Sequence, residues 1–208
     1  MNRTADSENR KRIVERSRIM FMTQGISSPT MERIASQQGI SKKTLYKFFP
    51  NKNALVAAVV EERIAELGEE VLRIVAKKRL SLLERMNEIL RVVSRQLADL
   101  GDNLIRDIYY REPEIWERVD RFRRETVFGI ITKLLDEGVR AGVIRKDVDT
   151  RLIPAIFLNT ISTILNPSQF LALTVPPAEA FDALIRILFG GILTGKARVR
   201  FFRKGNTP

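Results

Sequence analysis

The amino-acid sequence predicts an all-α protein, and three observations carry that reading. Apolar residues recur at steps of three and four along almost the whole chain, which is the spacing of a buried helical face. No stretch alternates apolar and polar residues around an Asn-Gly or Asp-Gly turn, as a hairpin would. Glycine and proline fall between the periodic stretches, at Gly25, Pro50, Gly101-Asp102, Glu112-Pro113, Gly138 to Gly142 and Asn166-Pro167, where they act as turns, caps or breaks. At 208 residues and 44% apolar composition the chain can bury a core as one domain or two small ones, which excludes disorder throughout.

Taken in order, the first helix is expected over 7–24, with Ile13, Ser17, Met20 and Phe21 on its inner stripe and Gly25 at its end. Two short helices follow, over 30–38 and 41–48, and a longer one opens after Asn51 and runs over 52–76. Further helices are expected over 81–99, 103–111, 114–141, 150–166 and 177–196. The short-helix part and the long-helix part read as two units that share the helix after Asn51. The division is 1–51, 52–196 and a frayed basic tail over 197–208.

Charge sharpens this division. The formal charge of +11 is concentrated at the ends, +7 over residues 1–60 and +5 over 196–208, against −1 between them. Polyanions therefore become candidate partners. The chain has no cysteine and no histidine, which removes disulfides, thiolate nucleophiles, imidazole bases and Cys/His metal sites, so neither a metal nor a cofactor is expected. The start lacks the apolar run of a signal peptide, and a cytoplasmic location is the expectation. Residues 152–178 carry no charge over a length that could span a bilayer. Prolines and polar residues interrupt the run, however, so it reads as a buried helix and a loop, without membrane insertion.

Residues 30–52, Thr-Met-Glu-Arg-Ile-Ala-Ser-Gln-Gln-Gly-Ile-Ser-Lys-Lys-Thr-Leu-Tyr-Lys-Phe-Phe-Pro-Asn-Lys, have the spacing of a helix-turn-helix. Two helices crossing over a tight turn need a small residue at the contact, a turn residue that tolerates positive φ, and apolar anchors on both sides. Ala35, Gly39 and the set Ile34, Ile40, Leu45 with Phe48 or Phe49 meet these needs, and Thr30 and Ser41 are placed as N-caps. Lys42 and Lys43 follow the Ser41 cap, and Lys52 follows Asn51. Cations there oppose the helix dipole, at a cost of about 0.3–1 kcal/mol each, unless an anion is bound at the same end. Phosphate would reverse that cost, and the spacing is also compatible with any helical hairpin that turns on glycine.

Gly25, Pro29-Thr30-Met31, Ile34-Ala35, Gly39-Ile40-Ser41, Thr44-Leu45-Tyr46, Phe49 and Asn51-Lys52 together resemble the DNA-binding domain of the tetracycline-repressor (TetR) family, over about residues 8–60. A weaker resemblance lies in Gly142-Val143-Ile144-Arg145 with Asp147-Val148-Asp149, similar to a turn before the penultimate helix of that family. The resemblance implies a cytoplasmic DNA-binding transcriptional regulator and a homodimer on double-stranded operator DNA. It implies that Lys42, Lys43, Thr44 and Tyr46 face the major groove, and that Thr30, Tyr46 and Lys52 hold phosphates, next to the Ser41 cap. Phe48 stands where the family often carries His or Tyr, which leaves it packing or an apolar contact with a thymine methyl.

For residues 61–196 three readings are open: an effector-sensing dimerisation domain, an enzyme, or a purely structural dimer module. Asp107, Glu112, Glu114 and Asp120 alternate with Arg106, Arg111, Arg118 and Arg121 at the spacing of solvated salt pairs, and no Gly-rich phosphate loop is present, so no catalytic activity is expected. The helices over 152–166 and 177–196 are apolar nearly all round, and the dimer contact is expected at Ile161, Leu165, Phe181, Leu184, Leu188, Phe189 and Ile192. Gly190, Gly191 and Gly195 would permit close helix approach there. Tyr109, Tyr110, Trp116, Phe122, Phe128, Phe157, Asn159 and Thr160 offer the aromatic lining and sparse polar groups of a small-molecule effector pocket. A repressor released by an effector is the expected function. A constitutive DNA-binding structural protein and a basic membrane-surface protein are the alternatives.

Overall fold

The computed structural model describes residues 3–99, 102–166 and 175–203. In chain order its helices are α1 (Arg3–Gln24), α2 (Met31–Gln37), α3 (Lys42–Phe48), α4 (Lys52–Val75), α5 (Leu82–Ala98), α6 (Asp102–Arg111), α7 (Pro113–Phe122), α8 (Phe128–Arg140), α9 (Ile153–Ile164), α10 (Pro177–Ile192) and α11 (Gly195–Arg203). A π-helical turn, Arg123–Val127, joins α7 to α8. Among the described residues there is no strand, only an isolated antiparallel bridge between Ile144 and Leu193. Among them, too, no helix is long and apolar enough to cross a membrane.

The chain forms two compact units. The first comprises Met1–Ala65 with Leu100–Val119, and the second Glu66–Asp99 with Asp120–Pro208. In the first, α1 to α4 bury Ile13, Phe21, Ile34, Leu45, Phe49 and Leu55, and α6 and α7 add Leu104, Ile108 and Ile115 to the same cluster. Gly25 terminates α1 at φ +72°, a left-handed conformation open to glycine at little cost.

In the second unit α5 starts from a capping box. The Ser81 hydroxyl accepts from Glu84 N, and the Glu84 carboxylate accepts from Ser81 N. Arg85 is buried there, paired with Glu137 and donating to the Val75 carbonyl at 3.1 Å. The segment 142–145 clamps the end of α10: Arg145 N donates to Ile192 O (2.9 Å), Thr194 N to Val143 O (2.9 Å) and the Arg145 guanidinium to Gly191 O (3.0 Å). That clamp is the local role of the Gly142-Val143-Ile144-Arg145 turn.

Several expectations are corrected. The single helix expected over 114–141 starts at Pro113 and is interrupted by the π-helical turn. The helix expected to reach 196 stops at Ile192, because Leu193 leaves helical geometry to form the bridge with Ile144. The frayed tail is helical as far as Arg203, since Ala197 and Phe201 are buried and the Phe201 ring lies 5.0 Å from that of Phe189. Residues 204–208 of that tail lie outside the described residues, as do 167–174 of the uncharged run. Asp107 is no solvated salt pair. It is 9% exposed, and its carboxylate accepts two backbone N–H groups.

Candidate nucleic-acid interface

The turn between α2 and α3 is held by backbone bonds from Gly39 N to Ser36 O (3.1 Å) and Ile40 N to Ala35 O (3.0 Å), with Gly39 at φ +66°. A Cβ at Gly39 would meet no atom within 4 Å, so the glycine is required by its dihedral and not by crowding. Ile34, Ala35, Leu45 and Phe49 are buried as the spacing predicts, and Phe48 is half-buried with the Lys47 ammonium 5.2 Å from its ring. The two caps form as expected, the Thr30 side chain accepting from Arg33 N (3.2 Å) and Ser41 Oγ from Thr44 N (3.0 Å).

With Leu45 anchored, α3 turns Lys42, Lys43 and Tyr46 to solvent, Tyr46 being 43% exposed. Thr44 is half-buried, its hydroxyl 2.8 Å from that of Ser41. Lys42 is paired with Glu32 of α2 at 2.9 Å, and this hydrogen bond holds the Glu32 carboxyl below its ordinary pKa. Lys47 donates to both carboxylate oxygens of Asp6, on α1, at 2.9 Å. Glu32 is exposed and the Asp6 side chain is about half accessible, so water screens these pairs and each contributes little to stability. Their effect is on placement, since each tethers a lysine of α3.

The Asn51 side chain caps α4 by accepting from Ala54 N at 2.8 Å. Lys52, in the first turn, is half-buried and donates from Nζ to the Ser27 carbonyl at 3.1 Å. Burial lowers its pKa from the ordinary lysine value, partly offset by the charges of Asp107 and Glu112. Lys52 thus begins in a protein contact instead of pointing freely at solvent.

Residues that sequence reasoning missed hold this head together. Gln38 is buried, and its Nε2 donates to Ser17 Oγ (2.9 Å) and Ile13 O (3.4 Å), while its own carbonyl accepts from Arg16 (3.2 Å). Glutamine in an exposed-looking Ser-Gln-Gln-Gly run carries no local mark of such a role. Its acceptors lie more than twenty residues away.

The other candidate residues fall in different places. Tyr109, Tyr110 and Trp116 belong to the first unit, with Tyr109 edge-on to both of the others and Trp116 packed on the core. Phe122, Phe128, Phe157, Asn159 and Thr160 belong to the second. Phe122 packs on Gly68 of α4, where a Cβ would come within 3.3 Å of its ring, and Phe157 lies edge-on to Phe181. A small cavity of about 30 Å³ in the second unit is lined by Asn87, Leu90, Phe181 and Phe201, among others, and by none of the five. Ile161, Leu165, Phe181, Leu184 and Ile192 are buried within the single chain, and Leu188 and Phe189 are half-buried. What α9, its flank and α10 leave open is Leu152, Ile156 (47% exposed) and Ile187 (73%). A Cβ at Gly190, Gly191 or Gly195 would meet nothing within 4 Å, so the approach these glycines permit is unused within one chain.

Comparison with known proteins bears on the first unit above all. Residues 13–59 match the family model of the bacterial regulatory proteins, tetR family. An HTH-type transcriptional regulator of Bacillus subtilis (strain 168), YvaF, is 28% identical over 182 residues, covering 88% of this chain and 94% of that one. Among solved structures, a TetR-family transcriptional regulator from Pectobacterium atrosepticum superposes with TM-score 0.63 at 21% identity, covering 93% of this chain and 98% of its own. SmeT, the repressor of the Stenotrophomonas maltophilia multidrug efflux pump SmeDEF, superposes with TM-score 0.67 at 17% identity, over 90% and 92%. These two likenesses concern the fold, whereas the match over 13–59 falls on the segment that builds α2, the Gly39 turn, α3 and the start of α4. Residues 13–59 are thus similar to the tetR family of bacterial regulatory proteins, in the segment that carries the helix-turn-helix.

Proposed function

We propose that this DNA-binding transcriptional regulator is a homodimeric repressor that leaves its operator when a small-molecule effector binds. The observation that carries the DNA reading is the anchoring of α3. Leu45 and Phe49 are locked into the core, so Lys42, Lys43 and Tyr46 stand together on the opposite face. Such a face suits base edges in a major groove, joined there by Thr44, with Thr30, Tyr46 and Lys52 toward the phosphates next to the Ser41 cap and Phe48 beside a thymine methyl. Residues 1–51 read DNA in this scheme, and 52–196 dimerise and sense.

The dimer rests on the open apolar residues Leu152, Ile156 and Ile187 and on the unfilled space over Gly190 and Gly191. Ile161, Leu165, Phe181, Leu184, Leu188, Phe189 and Ile192 then form the layer beneath that contact. The candidate effector-binding residues are Tyr109, Tyr110, Trp116, Phe122 and Phe157, which are aromatic, and Asn159, which is polar; Tyr109 lies edge-on to Tyr110 and Trp116, and Phe157 edge-on to Phe181. A ligand shifts DNA binding only through differential affinity for two states of the protein. SmeT, described as the repressor of a multidrug efflux pump, has a similar fold, which supports the repressor part of this reading.

The test is selection of random-core duplexes against the purified chain, with mass spectrometry of any small molecule it retains. A palindromic consensus, weakened by the retained compound, is the expected result. Retention of unrelated sequences with equal affinity would replace this reading with that of a structural DNA-coating protein.

A further inference from the structure

Asp107 lies on α6, yet the groups it satisfies belong to the loop that follows α1. One carboxylate oxygen accepts from Ile26 N and from Ser27 N, both at 3.0 Å, across 81 and 80 residues of sequence. The other lies 3.6 Å from the Arg111 guanidinium. Ser27 is held from its other side as well, because its carbonyl accepts from Lys52 Nζ at 3.1 Å. A buried carboxylate is costly unless hydrogen-bonded and near positive charge, and here both conditions are met.

The position of this loop matters for the reading head. Three residues after Ser27 comes Thr30, the N-cap of α2, with Pro29 buried between them. Wherever residues 26 and 27 are held, α2 begins, and α3 follows across the Gly39 turn. Lys52 stands at the first turn of α4 and bonds to the same loop residue. One carboxylate on α6 therefore governs both the start of the helix-turn-helix and the resting place of a lysine assigned to phosphate.

We propose that Asp107 is a positioning residue for DNA recognition, holding the Ile26-Ser27 loop, and Lys52 through it, in the arrangement from which α3 meets its site. Asp107 touches no DNA in this role, and the proposal rests on the DNA-binding reading above. It is set apart from two simpler roles by sign. If Asp107 acted only as a negative charge near phosphates, removing it would tighten binding to every duplex. If it acted only as a folding contact, its loss would lower stability while leaving the folded protein's affinities unchanged.

The experiment compares the full chain with Asp107→Asn, Lys52→Gln and the double variant on two duplexes, the selected operator and a random sequence of equal length. The wild type is measured first, and absence of preference between the duplexes would overturn the DNA reading and the proposal with it. Given that preference, Asp107→Asn should bind operator about tenfold more weakly and change by less than about threefold on random DNA. The Ile26 and Ser27 amides should exchange faster in the folded variant, and the double variant should lose less than the two single losses combined. Tighter binding to both duplexes, equal loss on both, or lowered thermal stability with unchanged affinities would each overturn the proposal. Should Asp107→Asn fail to fold, Asp107→Glu keeps the charge but moves the oxygens by about one C–C bond. The same comparison then decides, with selective loss of operator binding expected and uniform behaviour overturning it.

Discussion

At Gly39 the backbone stands at φ +66° with open space around the missing Cβ, so a side chain there is opposed by conformation alone. Gly39→Ala should cost about 1–2 kcal/mol, the penalty of left-handed backbone for an L residue. In thermal unfolding this corresponds to a Tm lower by roughly 2–8 °C, and Gly39→Asn should lose less, because Asn tolerates that region. Lysines on the same head should separate by role. Lys52→Ala should weaken binding to all duplexes and flatten the salt slope by about one unit, whereas Lys42→Ala should chiefly relax sequence preference. Titrations on operator and random DNA at several salt concentrations check this, and matching losses on both duplexes would remove Lys42 from the base edges. Lys42 starts from an ion pair with Glu32, so part of its binding energy goes into leaving that partner.

Among the elements, the turn between α8 and α9 shows how local chemistry titrates. Asp149 accepts from the Arg151 side chain (2.9 and 2.7 Å) and from Arg151 N (3.0 Å), and these bonds pull its pKa from 3.8 down to about 2. A depressed carboxylate contributes stability above its unfolded pKa and loses it as pH falls through the folded one. The Tm gap between wild type and Asp149→Asn should therefore be constant above about pH 5 and close between pH 3.8 and 2. Solvent exposure and salt screening keep that gap small. A gap that persists at pH 2 would mean that the side chain acts by shape. Most helices are legible in the sequence because their causes are local. Ser41 and Thr30 cap within three residues, and Gly25 and Gly39 stop helices by their own dihedrals. The break at Arg123–Val127 carries no proline or glycine, so nothing in that stretch announces it.

For the whole molecule, the proposed subunit contact can be tested at the open side chains of α9 and α10. Ile187→Asp places a charge on a position that is 73% exposed in the single chain. It should leave the monomer folded while shifting light scattering from dimer to monomer and abolishing tight binding to a palindromic site, since operator symmetry needs two reading heads. Leu184→Asp, one turn away but buried, should instead unfold the chain, because an unpaired charge would enter the core. An Ile187→Asp protein that stays dimeric would move the subunit contact elsewhere.

By itself the sequence determined the helical class and the helix-turn-helix with its caps and glycine turn, because caps, turns and helical periodicity depend on residues close together along the chain. Tertiary structure alone decided what became of groups whose partners are remote. Asp107 reads as one more acid in an alternating surface row, and only the approach of the Ile26 and Ser27 amides makes it a buried acceptor. Gln38 reads as a polar turn residue until Ser17 and Ile13 meet it. Phe201 sits in a basic tail whose composition suggests fraying, yet its ring is covered in the fold and stacks near Phe189. On α9 and α10 the periodicity shows apolar residues on nearly every side, and only packing separates Leu184, which is buried, from Ile187, which is not. Periodicity reports which residues must leave water, and the partner that removes them is chosen by contacts far along the chain.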